Sequence, residues 1–260
     1  MIELLDTQPE TNVQEAEYKR LLGYPRHYEL ADRSRELADW ARHWYAENDK
    51  PWIYARQAER LDISNGRLRL DCVDFSSRRF HEQLLEAQAH TTILVAVSAG
   101  KECEEKARQL WLEEKPDEYF FLEVFGSAVV EHLVTTAGAR LCAWAEKQGM
   151  AVLPHYSPGY PEWDISDQKK LLELIQRKNF REEIQALDSG MLRPKKSLLA
   201  VFGITRQVNR VRNLAELIPC ENCSMQSCQY RRAPYTYSRN RIEDVRRLQT
   251  RDYRGSNGEI

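Results

Sequence analysis

The sequence lacks a continuous apolar run of membrane-spanning length, an internal repeat and any low-complexity tract. A membrane-spanning helix needs about 20 predominantly apolar residues, so we expect none here. The net charge is only -2, which argues against wholesale nucleic-acid binding and gives no reason to expect an acidic partner. The N-terminus, MIELLDTQPETNVQEAE, is acidic and polar, unlike a secretory signal or a transit peptide. The expected location is therefore the cytoplasm.

Cysteines are few and unevenly spread. Three of the six are scattered and three are clustered: Cys72, Cys103 and Cys142, then Cys220, Cys223 and Cys228. In a reducing cytoplasm, a tight cluster is more often a metal or redox centre than a disulfide frame. Two thiolates two residues apart can hold one metal ion from a tight turn, with the third in reach. An iron–sulfur cluster, a structural zinc ion and unligated thiols all stay open as interpretations.

Apolar residues recur at helical spacing in some segments and form short continuous runs in others, which predicts a mixed α/β fold. Helices are predicted over 28–47, 76–88, 101–114 and 119–148, with another beginning near Asp164 or Ser166. Strands are predicted over 91–97, 151–153 and 197–204, with a hairpin turn at Asn65-Gly66. The long helix carries a predicted buried stripe of Leu122, Phe125, Val129, Leu133, Ala137 and Leu141.

The stretch YSPGYP, residues 156–161, predicts a stiff, extended loop. Pro158 and Pro161 fix their own φ angles and favour extended residues before them. Gly159 allows a ligand or another backbone to approach closely. Tyr156 and Tyr160 would then be available for stacking, and main-chain groups could bind the edge of an adenine ring. A rigid connector between a strand and a helix explains the same residues equally well.

Four segments together resemble the activation domain of cobalamin-dependent methionine synthase. YSPGYPEWDISDQKKLLELI is similar to its GYP-containing loop and following helix, and LEVFGSAVVEHL to a helix segment that carries an acidic residue. MLRPKKSLLAVFGI and TTILVAVSAGKECEE resemble two further segments of that family, in the expected order. The resemblance covers about residues 65–232 and is closest to small stand-alone versions that end in a cysteine cluster.

The resemblance implies an α+β fold in three parts: a helical N-terminal extension over 1–64, an activation-domain-like core over 65–218, and a cysteine- and arginine-rich segment over 219–260. It implies that Glu131 meets the amino group of S-adenosylmethionine. The adenosine would be held by the loop residues His155, Tyr156, Ser157, Pro158, Gly159 and Tyr160. His155 stands where the family usually has an arginine, so a permanent charge is replaced by a group that can be neutral at pH 7.

The implied activity is reductive methylation of cob(II)alamin on a corrinoid methyltransferase or methionine synthase that binds in trans. The chain has no Asp-x-His-x-x-Gly corrinoid motif and no paired-cysteine homocysteine site, so cobalamin would arrive only on that partner. A flavodoxin or ferredoxin would supply the electron. The alternative is a non-catalytic adaptor that binds an iron–sulfur cluster or zinc on the same scaffold and has lost S-adenosylmethionine binding.

The cysteine spacing differs from that of the radical S-adenosylmethionine motif. The metal site predicted at Cys220, Cys223 and Cys228 would need a fourth ligand, for which the three scattered cysteines and the histidines are candidates. Acidic residues interrupt the arginine-rich tail. We therefore expect a docking surface for an acidic partner or a solvated terminal helix there, and nucleic-acid binding is the weaker interpretation.

Overall fold

The computed structural model describes residues 2–25, 28–64, 66–176, 180 and 182–211. The predicted metal ligands Cys220, Cys223 and Cys228 and the arginine-rich tail lie outside the described residues.

The described chain contains ten strands, six α-helices and one 3₁₀ helix: β1 (Glu3–Asp6), α1 (Glu15–Leu21), α2 (Asp32–Asn48), β2 (Trp52–Gln57), β3 (Leu61–Asp62), β4 (Leu68–Leu70), β5 (Val73–Phe75), α3 (Arg78–Glu86), β6 (Ala89–Ser98), α4 (Lys101–Leu112), α5 (Pro116–Glu146), β7 (Ala151–Val152), α6 (Asp167–Gln176), β8 (Gln185–Ala186), β9 (Leu192–Arg193), β10 (Ser197–Thr205) and the 3₁₀ turn Val208–Arg210. Every predicted helix and strand is present, with ends shifted by a few residues. β3 and β4, on either side of the hairpin turn predicted at residues 65–66, pair antiparallel, and Asn65 itself lies outside the described residues.

A five-stranded antiparallel sheet with the order β1-β2-β6-β10-β7 forms the centre of the fold. The sequences of β6 and β10 are nearly continuous apolar runs, because both strands are buried on both faces of the sheet. A three-stranded meander, β3-β4-β5, and the short pair β8-β9 lie outside this sheet. Helices and antiparallel strands in this arrangement confirm the α+β class.

Alternate strand residues point to opposite faces of a sheet, and here each face has its own core. On the helical face, Ile53, Val95 and Phe202 pack with residues of α1, α2, α4 and α5. On the meander face, Leu94 and Val201 pack with residues of α3, α6 and the β3-β4-β5 meander.

The first 64 residues contribute strands as well as helices. β1 and β2 are two of the five strands of the central sheet, so the sheet continues across the boundary predicted at residue 64. β2 was not predicted because its WIYARQ sequence is short and contains Arg56. That arginine is 2% exposed and is held by partners that are distant in the sequence.

The long helix α5 lies in the core of the helical face. All six residues of its predicted stripe are buried. It is the one helix of the described residues that is long and apolar enough to cross a membrane by length and composition, with a mean hydropathy of 1.3 over its most apolar window. Polar residues interrupt this window, so the helix contains no continuous apolar run of membrane-spanning length. In the structure 56% of the window is buried, and its apolar side chains pack against the sheet and the neighbouring helices.

Candidate functional site

The predicted ligand-binding loop begins after β7 and runs along the edge of β10. The Leu153 N–H donates to the Gly203 carbonyl at 2.8 Å. Tyr156 and Val201 exchange both main-chain hydrogen bonds, at 2.9 and 2.8 Å. The first half of the loop therefore acts as an irregular extension of the sheet, and its position is fixed by β10.

Tyr156 points into the meander face. Its ring is 7% exposed and lies nearly parallel to the rings of Phe80 and Trp163, with centroids 5.8 and 6.1 Å away. Its hydroxyl donates to the Pro161 carbonyl at 2.7 Å. The prediction that this ring is available for stacking on a ligand is wrong, because the aromatic core behind the loop already surrounds it.

The second half of the loop folds back on itself. The Gly159 N–H donates to the Trp163 carbonyl at 2.9 Å, and the Tyr160 N–H to the Ser157 carbonyl at 3.0 Å. Gly159 has a φ of 91°, and a Cβ there would come within 2.9 Å of the Ile165 side chain. The turn therefore requires glycine at position 159. The N–H groups of Gly159 and Tyr160 both donate hydrogen bonds within the loop.

His155 points to the opposite side from Tyr156. Its ring centroid is 5.5 Å from that of Phe202, a residue of the helical-face core. Its Nε2 atom lies 3.1 Å from the Tyr160 hydroxyl, and the ring is half-buried. His155 therefore lies on the side of the sheet that α5 covers, whereas the Tyr160 ring packs against the meander-face core and edge-on to Tyr156, with centroids 5.5 Å apart.

Glu131 is a half-buried residue of α5, and its main-chain carbonyl accepts a hydrogen bond from the Thr135 hydroxyl at 2.8 Å. α5 covers the helical face and contacts β10, the strand that also pairs with the loop. Glu131 and His155 therefore lie on elements that border the same strand, on the same side of the sheet. The remaining predicted residues, Ser157 and Pro158, are buried, and the Ser157 hydroxyl has no hydrogen-bond partner in the described part of the chain.

The sequence analysis missed a charged cluster on α5 next to the start of β10. Lys195 and Lys196 form ion pairs with the two oxygens of Glu123, at 2.6 and 3.1 Å. Lys196 also donates to the Ser127 hydroxyl at 2.8 Å. Burial disfavours the charged form of Lys195, but the bond to Glu123 outweighs it and raises its pKa above the ordinary value.

A glycine allows this cluster to form. A Cβ at Gly126 would lie 2.9 Å from the Cys103 sulfur and 3.1 Å from Cγ of Lys196, so the lysine stem rests directly on the α5 backbone. The sequence signal was the four-residue spacing of Glu123, Ser127 and Glu131, which places them on one side of a helix.

The sequence matches no family model and no curated protein. Among solved structures, the chain is similar to one described as "Crystal Structure of the MetH Reactivation Domain bound to AdoHcy". The TM-score is 0.59 at 10% sequence identity, over 96% of this chain and 86% of that chain.

The protein has the fold of the MetH reactivation domain. Because the identity is only 10%, the comparison establishes the architecture and does not transfer the roles of individual residues. The fold implied by the sequence resemblance is confirmed, and the site residues remain predictions.

The described part of this MetH reactivation fold contains no cluster of three or more metal-ligating side chains. Cys103, one candidate for a fourth ligand, is buried and faces the Leu122 carbonyl at 3.9 Å, and burial raises the pKa of its thiol. A thiol in such surroundings is a core residue. The iron–sulfur and zinc interpretations concern Cys220, Cys223 and Cys228, outside the described residues.

Asp49, the residue that follows α2, is a half-buried carboxyl group that contacts the first turn of α4. Its Oδ1 atom accepts the Cys103 N–H at 2.9 Å, whereas Oδ2 has no hydrogen-bond partner among the described residues. Burial raises its pKa to about 8, and the neighbouring Glu102 adds to the shift. Asp49 also lines a cavity of about 540 Å³ with Tyr45 and Trp52, and this cavity includes none of the predicted site residues.

Proposed function

We propose that this protein is a cytoplasmic accessory protein that binds S-adenosylmethionine and reactivates a corrinoid methyltransferase or methionine synthase in trans. The observation that carries the proposal is the fold, which is that of a reactivation domain whose solved structure is described as bound to AdoHcy. The placement of His155 and Glu131 on one side of the sheet supports it.

The loop geometry narrows the contacts that we assign to the ligand. The amides of Tyr156, Gly159 and Tyr160 are occupied within the protein, so these three cannot also bind adenosine without breaking a bond. We therefore assign the adenosine contacts to His155, Ser157 and the Tyr160 side chain. Glu131 would accept the ammonium group of the amino-acid portion, because a carboxylate pairs strongly with a cation in a partly buried site.

The proposed reaction requires no acid–base catalysis by the protein. One electron from a flavodoxin or ferredoxin reduces the partner's cob(II)alamin, and the sulfonium methyl group moves to cobalt while its bond to sulfur breaks. S-adenosylhomocysteine remains. No proton is transferred, so the contribution of this chain is to hold the methyl donor and the corrinoid protein in a reactive orientation.

Calorimetric titration with S-adenosylmethionine and S-adenosylhomocysteine tests the proposal. We expect binding by the wild-type protein, and a loss of about 10- to 100-fold in affinity for Glu131→Gln, because a charged hydrogen bond is replaced by a neutral one. Glu146→Gln, an exposed position at the end of the same helix, is the matched control and should bind normally. A wild-type protein that binds neither compound at millimolar concentration would exclude this function.

The second candidate is the non-catalytic adaptor, favoured by the occupied loop amides and by histidine in place of the family arginine. Metal analysis of the full chain after anaerobic purification separates the two candidates when it is combined with the titration. A metal-containing chain that ignores S-adenosylmethionine supports the adaptor, with iron and sulfide indicating a cluster and zinc a structural site.

A further inference from the structure

The turn between α4 and α5 carries a group of exposed apolar side chains. Leu112 and Trp111 are 72% and 62% exposed, more than any other large apolar side chain of the described residues, and Phe120 is 47% exposed. The rings of Trp111 and Tyr119 are in contact, with centroids 5.2 Å apart. We call these four residues the α4–α5 tip. Apolar groups of this kind on a protein surface are typical of interaction sites.

Main-chain hydrogen bonds hold the tip in one conformation. The Lys115 N–H donates to the Leu110 carbonyl at 3.0 Å, and the Glu114 N–H donates to the Trp111 carbonyl at 3.2 Å. These bonds close the end of α4. The Tyr119 N–H donates to the Lys115 carbonyl at 3.0 Å and so begins α5 directly after the turn. A partner would therefore meet a preformed surface, which limits the entropy lost on binding.

The residues that connect the two helices are mostly acidic. The sequence over 113–118 is EEKPDE, which contains four carboxylates and one lysine. That lysine, Lys115, already pairs with Glu113 at 2.7 Å. Glu114 and Asp117 are exposed and form no ion pair with another described residue. The apolar tip is thus bordered by negative charge that a basic partner could neutralise.

The tip already binds one cation from its own chain. The Lys195 ammonium group lies 5.8 Å from the centroid of the Tyr119 ring, a distance at which an aromatic face attracts a cation. Tryptophan attracts cations more strongly than tyrosine does, and Trp111 is the more exposed of the two rings. An arginine suits this surface, because its guanidinium group stacks on aromatic rings, is weakly hydrated and pairs with carboxylates.

Charge separates a basic protein partner from two other occupants of an exposed apolar tip. The cytoplasmic surface of a membrane is negative, and it would repel Glu114 and Asp117. A second copy that docked through the same tip would bring the same carboxylates together across a symmetric interface, and like charges in contact oppose association.

We propose that the α4–α5 tip is a docking surface for a protein partner whose binding segment carries arginine beside apolar side chains. The arginine stacks on Trp111 and pairs with Glu114 or Asp117, and the apolar side chains pack on Leu112 and Phe120. None of these residues belongs to the proposed ligand site, so this assignment does not depend on the proposed function.

Fluorescence anisotropy of the full chain with labelled synthetic peptides tests the assignment. The first peptide is an amphipathic helix of leucine and arginine, and the second has glutamate in place of every arginine. We expect the wild-type protein to bind the arginine peptide and not the glutamate peptide. Trp111→Ala should weaken binding about tenfold, because it removes both the apolar surface and the ring that attracts the cation. Trp111 is largely exposed, so this variant should fold.

Leu112→Ala and Leu85→Ala are a matched pair. Both leucines are exposed and lie near the end of a helix, α4 for Leu112 and α3 for Leu85. Leu112→Ala should weaken binding of the arginine peptide about three- to tenfold, and Leu85→Ala should leave it unchanged. Glu114→Gln should weaken binding about two- to fivefold at low salt, and this difference should disappear at high salt because ions screen exposed charges.

Three kinds of result would overturn the assignment. The first is equal affinity for the two peptides, or no binding of the arginine peptide by the wild-type protein. The second is an equal loss for Leu112→Ala and Leu85→Ala. The third is a role for Trp111 without peptide binding: sedimentation with phosphatidylcholine or phosphatidylserine vesicles that Trp111→Ala abolishes would assign the tip to a membrane, and loss of self-association in that variant would assign it to a second copy.

Discussion

The two faces of the central sheet treat their buried acids differently. On the meander face, Asp71 pairs with Arg56 at 3.1 Å. Asp167 accepts bonds from Ser76 and Trp163 and pairs with Lys170; burial alone would raise its pKa, but these bonds lower it. On the helical face, Asp49 keeps one oxygen without a hydrogen-bond partner in the described chain, and its pKa is raised to about 8.

The contrast indicates a division of labour. The meander face pairs its buried carboxylates with cations and holds the loop from behind through the stack of Phe80, Tyr156 and Trp163. The helical face carries His155, which packs on Phe202 of β10, and Glu131, a residue of α5, and both are incompletely buried. Substitutions on the meander face should therefore change folding stability, and those near β10 on the helical face should change ligand affinity.

The largest effect is expected at Arg56. This side chain and Asp71 are 2% and 8% exposed, and Arg56 also donates to the Leu174 carbonyl. Arg56→Met leaves a buried carboxylate without its cation, which should lower the unfolding free energy by about 3–5 kcal/mol. Urea denaturation measures the loss.

Arg69, in strand β4 of the three-stranded meander, is the control for Arg56 of β2. Arg69 pairs with Asp74, and the two side chains are 42% and 57% exposed. Arg69→Met should leave the unfolding free energy nearly unchanged, because exposed ion pairs contribute little. Equal losses at both positions would refute the idea that burial on the meander face decides the effect.

Asp49 should make stability fall with rising pH. Its pKa is 3.8 in the reference state and about 8 in the fold, so the folded protein holds the proton more tightly between these values. The unfolding free energy therefore decreases from about pH 4 to pH 8 and then levels off.

Asp49→Asn cannot ionise and keeps an oxygen for the Cys103 N–H. We expect this variant to match the wild type near pH 5 and to exceed it by up to about 4 kcal/mol near pH 9, measured by thermal or urea unfolding at both pH values. The loss of a negative charge at the start of α4 works against this gain. If the stability of Asp49→Asn depended on pH as strongly as that of the wild type, Asp49 would not be the group that causes the pH dependence.

The smallest stability effects are expected at two adjacent loop residues on opposite faces. Tyr156→Phe removes the bond to the Pro161 carbonyl and should cost about 1 kcal/mol of stability with unchanged S-adenosylhomocysteine affinity. His155→Ala should cost less than about 0.5 kcal/mol but weaken that affinity several-fold. Urea unfolding and calorimetric titration of both variants test these expectations. If Tyr156→Phe weakened binding and His155→Ala lowered the stability, the roles assigned to the two faces would be reversed.

Much of the fold follows from local patterns. The buried stripe of α5 and the apolar runs of β6 and β10 specify their elements through periodicity alone. The sequence of β2 does not specify a strand in this way. Its Arg56 is buried only because it forms hydrogen bonds with Asp71 and the Leu174 carbonyl. Those partners come from other parts of the chain, and no local window contains them.

The site was predictable only in part, because several of its contacts join residues that are distant in the sequence. The prolines and Gly159 predicted an extended loop, but only its first half is extended, and the second half folds back through hydrogen bonds from Tyr160 to Ser157 and from Gly159 to Trp163. The inward orientation of Tyr156 depends on its pairing with Val201, which a loop sequence does not reveal. Likewise, Lys196 meets Glu123 and Ser127 only after α5 has packed beside β10.

The pairing of Tyr156 with Val201 fixes which face of the sheet each neighbouring loop residue meets. Adding or deleting one residue between positions 153 and 156 would exchange the faces that His155 and Tyr156 contact. Natural variation in this stretch should therefore consist of substitutions, with length changes confined to segments on either side of it.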